Sequence, residues 1–175
     1  MQRITIAGNS GAGKSTFAER LSTTTKIPVY HLDLIQFKPG WQKAPEQEFY
    51  QLHTEWLTKP SWIIEGVGPW KELKQRFETA DTIIYLDFPE EYCLQKARER
   101  TEKDKITPNP FVPPNSPYAA KEDKQEEVIR FFQREWRPKI LHLMDNLAVG
   151  RNLFVFVQPE GLDNFLAEIK MPHTI

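Results

Sequence analysis

The residues best suited to chemistry lie near the start of the chain. Gly8-Asn9-Ser10-Gly11-Ala12-Gly13-Lys14-Ser15 follows the pattern G-x-x-x-x-G-K-[ST], and Thr16 extends it. Glycines at 8, 11 and 13 permit backbone angles and a close approach that a β-carbon would obstruct, so successive N–H groups can point inward at an anion. A helix beginning at Lys14 would add the positive end of its dipole. Lys14 then reaches the β- and γ-phosphates of a nucleotide as a point charge. The Ser15 hydroxyl is the expected protein ligand of Mg²⁺, a hard cation that prefers oxygen, and Thr16 is expected at the α-phosphate. The pattern predicts that Gly8 to Thr16 binds ATP together with Mg²⁺.

Such a loop functions only between a strand and a helix, and the surrounding sequence supplies both. Ile4 to Ala7, Pro28 to Asp33, Trp62 to Glu65, Thr82 to Asp87 and Leu153 to Val157 are rich in β-branched and aromatic residues and read as strands. Lys14 to Leu21, Pro45 to Leu57 and Pro89 to Arg100 read as helices between them. Strands alternating with helices predict an α/β fold around a parallel sheet. The unbroken apolar runs at Ile83 to Leu86 and Leu153 to Val157 agree with strands buried on both faces. From Thr107 to Tyr118, prolines 108, 110, 113, 114 and 117 forbid a helix interior and remove ladder donors, so this stretch is expected as a loop, either a lid or a plain surface insertion. Glu122 to about Asn146 reads as helical, with Val128, Phe131, Phe132, Trp136 and Ile140 on one side and a kink or restart at Pro138.

A chain of 175 residues predicts one domain, residues 1–175. Lysine and arginine (23) nearly balance aspartate and glutamate (24), so no overall field would gather nucleic acid or an anionic membrane. A single cysteine, Cys93, excludes an internal disulfide and suits a reducing compartment. With no signal-like or membrane-spanning run, the expected location is the cytoplasm.

Phosphate loops serve GTPases, transport ATPases, motors and kinases. No N-K-x-D guanine-reading motif and no L-S-G-G-Q signature occurs here, which favours a kinase. Trp62-Ile63-Ile64-Glu65-Gly66 and Tyr85-Leu86-Asp87-Phe88-Pro89-Glu90-Glu91 resemble the adenylate-kinase-like superfamily of small P-loop kinases, over most of the chain. His31-Leu32-Asp33, Pro39-Gly40-Trp41, Cys93-Leu94 and Arg137-Pro138-Lys139-Ile140 resemble more closely the FlaR-like, or DNA topology modulation protein, family.

The resemblance implies a three-layer P-loop fold with a five-stranded sheet in the order 2-3-1-4-5, an acceptor-binding segment at residues 34–60 and a lid region at 101–140. It implies that Glu65 anchors Mg²⁺ from outside its ligand shell and that Asp33 orients or deprotonates an attacking hydroxyl. Both carboxylates could instead cap the segments that follow them. It implies phosphate or adenine contacts from Arg100, and more weakly from Lys96 and Arg98. Arg130, Arg134 and Arg137 are spaced four and three apart, so a regular helix would place them on one face. They are read as lid arginines, with Arg134 or Arg137 at the transferring phosphoryl group, or else as a solvated face. Phe37 and Trp41 are candidates for stacking on substrate, or for core. His31 and Cys93 read as structural.

No arginine occurs between Arg20 and Arg76, so the acceptor side lacks the forked donors that usually grip a phosphate. Lys38, Lys43 and Lys71 could serve only as point charges. This favours a small-molecule hydroxyl as phosphoryl acceptor over a nucleoside monophosphate. A nucleotide-dependent regulatory or DNA-topology protein is the reading from a different class, against which the balanced charge counts.

Overall fold

The computed structural model describes residues 1–170. Five parallel strands form one sheet: β1 (Arg3–Gly8), β2 (Val29–His31), β5 (Trp62–Glu65), β6 (Thr82–Leu86) and β7 (Asn152–Phe156). Their spatial order is β2-β5-β1-β6-β7. Counted along the chain among these five, that is 2-3-1-4-5, the expected order. A two-residue ribbon, β3 (Phe37–Lys38) with β4 (Gln42–Lys43), stands apart from the sheet.

Side chains alternate across the central strands, which gives the sheet two apolar faces. Ile4, Ile6, Ile63 and Ile84 face α1 (Lys14–Thr25), α5 (Glu90–Asp104) and α8 (Glu160–Lys170) through Phe17, Leu21, Leu94, Phe165 and Leu166. Ala7, Trp62, Ile64, Ile83 and Tyr85 face α3 (Glu46–Leu57), α4 (Trp70–Thr79) and α7 (Arg137–Asn146) through Phe49, Leu73, Phe77, Ile140 and Leu143. Three layers result, with the phosphate-binding loop at the carboxyl end of β1. Among the described residues no helix is long and apolar enough to cross a membrane.

Four elements depart from the sequence expectation. Helices α4 and α8 were not anticipated. The second strand stops at His31, because the N–H groups of Ile35 and Gln36 both donate to Leu32 O and close one helical turn, α2 (Asp33–Gln36). Asp33 therefore begins a helix instead of ending a strand. The long helix after the proline-rich stretch is broken into α6 (Glu122–Phe131), a π-helical turn (Phe132–Trp136) and α7. Pro138, within the first turn of α7, marks the restart. Within α6, Val128 and Phe131 point to solvent while Ile129 is fully buried, so the expected apolar side is rotated.

Residues Lys105 to Pro117 form no helix or strand, and a short 3₁₀ turn (Tyr118–Lys121) leads into α6. This loop is nonetheless held down. Asp104 at the end of α5 accepts N–H donors from both of its arms, Asn109 at 2.9 Å and Tyr118 at 2.7 Å.

The turn after β5 is fixed from beneath by a fully buried arginine. Arg76 Nη2 donates to the carbonyls of Gly66 and Val67, each at 2.8 Å, and Nη1 lies 3.4 Å from His53 Nε2. Burial, and then the charge of Arg76, push the pKa of His53 down to about 3. The folded state thus keeps His53 neutral while the unfolded chain takes up a proton below its ordinary 6.5. Stability should fall as pH drops from 6.5 toward 3, by on the order of 1 kcal/mol per pH unit at the steepest. His53→Gln, which cannot charge, is expected to flatten that acid limb in a series of thermal melts against pH. An acid limb identical to wild type would show that His53 titrates normally.

Candidate active site

Strand β1 delivers the chain to Gly8, and α1 receives it at Lys14. Gly13 caps α1 in the left-handed region (φ 83°), a conformation that costs glycine little. Gly11 (φ 83°) packs so closely on α5 that a β-carbon would lie 2.2 Å from Cys93 O. The loop is therefore seated on the helix that carries Arg100, and burial of Cys93 at this contact pushes its thiol up to about 11.

The Asn9 side chain accepts from Ser10 N at 2.8 Å and donates to Ile129 O of α6 at 2.9 Å, tying the loop to the helix beside it. Ala12 packs into the core. Ser10 Oγ accepts from Arg100 Nη2 at 3.1 Å. Lys14 Nζ donates to Asn9 O at 2.8 Å. Burial lowers its pKa, while the carboxylates of Glu65 and Asp33 act in the opposite direction. Thr16 is exposed at the rim.

A cavity of about 410 Å³ opens beside this loop. Its walls are Gly13 to Thr16, Lys96 and Arg100 of α5, and Pro108 to Phe111 with Tyr118 from the proline-rich segment. That segment thus forms one wall of the cavity, as a lid would. Arg98 points away and pairs with Glu126.

Glu65 is buried at the end of β5, and its Oε1 accepts two hydrogen bonds, from Ser15 Oγ at 3.0 Å and from His31 Nδ1 at 2.8 Å. His31 Nε2 donates in turn to Glu19 Oε1 at 2.8 Å. Burial opposes charge on this ring, but the two carboxylates outweigh it and raise the His31 pKa. Register explains the first contact, since His31 stands opposite Glu65 in the β2–β5 pair. Helical spacing explains the second, since Glu19 lies one turn beyond Ser15 on α1. Among the described residues no three His, Cys, Asp or Glu side chains gather into a metal cluster. One hydroxyl beside one carboxylate fits an ion whose other ligands are phosphate oxygens and water.

Asp33, half-buried at the start of α2, is within electrostatic reach of the same group. Burial, and then Glu65, raise its pKa, while Lys14, Lys121 and Arg100 pull it down. Lys121 was not singled out by the sequence, and neither were Glu19, Phe111 and Tyr118. These residues have no motif and come together only through the path of the lid segment, although the Ser15–Glu19 spacing was a readable sign.

Other expected site residues are directed elsewhere. Arg137 forms a two-pronged pair with Asp87 (2.6 and 2.8 Å). Arg134 is exposed and pairs with Glu135, and Arg130 pairs with Glu126 and Glu90. The π-helical turn widens the helix between Arg130 and Arg137 and breaks the shared face that regular spacing would give. None of the three lines the cavity; the arginine at the loop is Arg100, whose guanidinium lies 3.7 Å from the Tyr118 ring centroid.

Phe37 and Trp41 are also diverted. Trp41 donates through Nε1 to Pro117 O at 2.9 Å and through its backbone N–H to Ser116 Oγ at 3.1 Å. The Lys121 ammonium sits 3.4 Å from the Trp41 ring centroid and 4.1 Å from that of Phe37. Both rings hold the proline-rich segment against the β3–β4 ribbon.

No known family pattern matches the chain, and no curated protein sequence matches it. Solved structures do. A shikimate kinase from Acinetobacter baumannii in complex with shikimate is 18% identical with a TM-score of 0.55, over 97% of this chain and 90% of that one. A shikimate kinase from Bacteroides thetaiotaomicron (12%, TM-score 0.53, 97% and 96%) and a sugar kinase from a Janibacter species (16%, TM-score 0.52, 95% and 93%) superimpose over similar spans. The chain therefore has the three-layer α/β fold of small P-loop kinases. Within that fold it carries a Ser15–Glu65–His31–Glu19 chain beside a proline-rich segment pinned by Trp41.

Proposed function

We propose that the protein is an ATP-dependent kinase that transfers the γ-phosphoryl group to a hydroxyl of a small molecule. The observation that carries this reading is the convergence of Lys14, Ser15 and Glu65 with a second carboxylate, Asp33, at one end of the sheet. The backbone of Gly8 to Gly13 and the start of α1 would cradle the phosphates, and Lys14 would follow the charge that develops on them. Ser15 and Glu65 would hold Mg²⁺, which when bound neutralises phosphate charge. Arg100 replaces Arg134 and Arg137 in this reading as the arginine of the transfer site.

Asp33 is the base. Its raised pKa brings it closer to the operating pH, and a carboxylate accepts the proton of an incoming alcohol, whereas beside a phosphate monoester it would add like-charge repulsion. The acceptor-side lysines support the same choice. Lys38 is paired with Glu48, Lys71 lies 5.5 Å from the Tyr50 ring centroid, and Lys43 is exposed. The fold is shared with two shikimate kinases and a sugar kinase, proteins named for hydroxylated acceptors. The resemblance to the FlaR-like family adds no acceptor.

The test is a coupled ATP-consumption screen with Mg²⁺ over polyols, sugars, hydroxy acids, nucleosides and nucleoside monophosphates. Turnover is expected with a hydroxyl compound and little with a nucleoside monophosphate. ATP consumption with none of these classes would overturn the reading.

A further inference from the structure

His31 touches neither the phosphate loop nor the cavity, yet it connects the carboxylate of the site to the lid. The ring is hydrogen-bonded on both sides, to Glu65 through Nδ1 and to Glu19 through Nε2, each at 2.8 Å. The same Glu65 oxygen also receives Ser15 Oγ at 3.0 Å. Ser15 and Glu19 belong to one helix, so the four side chains close a ring from α1, across the sheet edge, and back to α1. On its open face the imidazole is covered by Phe111, with ring centroids 4.5 Å apart and planes 26° apart. Phe111 comes from the proline-rich segment and also lines the cavity. Its backbone N–H donates to Asn109 Oδ1 at 2.8 Å, and Asn109 N–H is held by Asp104 at 2.9 Å, so the ring sits on a braced turn.

We propose that His31 is a positioning residue that fixes Glu65 toward Ser15 and couples the state of that carboxylate to the lid through its stack on Phe111. The proposal rests on the kinase reading above. Physically, a carboxylate held by one hydroxyl can rotate about its terminal torsions, whereas a second hydrogen bond, from a ring itself braced by Glu19 and Phe111, removes that freedom. When Mg²⁺ and nucleotide engage Ser15 and Glu65, any displacement of the carboxylate moves the donor ring, and with it the platform on which Phe111 rests. The lid would thereby respond to the metal as well as to the nucleotide.

ADP binding to the full chain, measured calorimetrically with Mg²⁺ and again with EDTA, isolates this role from mere packing. A glutamine amide has one donor nitrogen where the imidazole has two on opposite sides of the ring, so His31→Gln keeps a bond to Glu65 only by giving up the one to Glu19. His31→Gln should therefore cut the affinity gained from Mg²⁺ by roughly 10- to 100-fold, while binding in EDTA stays at the wild-type value. Hydrogen exchange of residues 107–118 in the Mg²⁺·ADP state provides the second measurement. Phe111→Leu, which leaves Glu65 untouched, should raise exchange to the level seen in His31→Gln, and the double variant should go no further, as expected for one shared contact.

An unchanged Mg²⁺ gain in His31→Gln, or exchange effects that add in the double variant, would overturn the proposal. If His31→Gln does not fold, Glu19→Ala, which removes the acceptor on Nε2, carries the first measurement and Phe111→Leu the second, with the same criteria. Failure of the wild type to bind ADP in either buffer would remove the kinase reading itself. Wild-type Mg²⁺·ADP binding matched by His31→Gln would remove only the role of His31.

Discussion

Replacing Lys14 by alanine is expected to lower turnover by about 10³-fold or more while leaving the chain folded. Among the described residues, the Lys14 ammonium has one hydrogen-bond partner, the carbonyl of Asn9. It supports no packing in either core face, so its removal takes away charge at the phosphates and little else. Burial already works against that charge in the folded state, and Glu65 and Asp33 partly offset the penalty. The variant should therefore melt at or above the wild-type temperature without ligand, yet lose most of the stabilisation that Mg²⁺·ATP gives the wild type. Steady-state kinetics and thermal melts with and without nucleotide check both halves. Turnover within tenfold of wild type would show that the loop does not carry the transferred phosphate.

Asp33→Asn is expected to reduce kcat by about 10²- to 10⁴-fold, the range for losing a positioned general base, with the stabilisation by ATP largely retained. Asparagine keeps the size of the side chain and its acceptor oxygen, so an effect confined to kcat identifies proton transfer and not shape. The change also removes a negative charge that Lys14, Lys121 and Arg100 all feel. A modest increase in affinity for anionic nucleotides should accompany the loss of turnover. Efficient phosphorylation of a nucleoside monophosphate by both wild type and Asp33→Asn would refute the hydroxyl-acceptor reading. Arg100 and Lys121, the cations the structure brings to this end of the sheet, would then become the acceptor-phosphate candidates in place of Lys38, Lys43 and Lys71.

The sequence by itself determined what local rules govern. The glycine spacing of residues 8–13 dictates a loop that only glycine can build, and Lys14 and Ser15 follow it at the start of a helix wherever that loop occurs. The apolar run at β6 is buried throughout in a parallel sheet, as its sequence implied, whereas the run at β7 lies on the sheet's edge and leaves Val155 and Val157 exposed. The prolines between 107 and 118 could not enter a helix or a central strand. Apart from the edge position of β7, each of these results depends on neighbours within a few residues, so a linear reading recovers them.

Tertiary structure decided which charges meet. The Arg130–Arg134–Arg137 pattern described a shared face for a regular helix, but the π-helical turn and the pull of Asp87, Glu135, Glu126 and Glu90 send the three side chains elsewhere. Phe37 and Trp41 read as a platform for substrate and instead grip the lid, because Pro117, Tyr118 and Lys121 arrive over them from some 76 to 84 positions away in sequence. His31 read as a structural histidine on a buried strand. Its partners, Glu65 and Glu19, come from an adjacent strand and from the phosphate-loop helix. Ion pairs and ring contacts depend on distance in space, which a sequence encodes only through the packing of the whole chain.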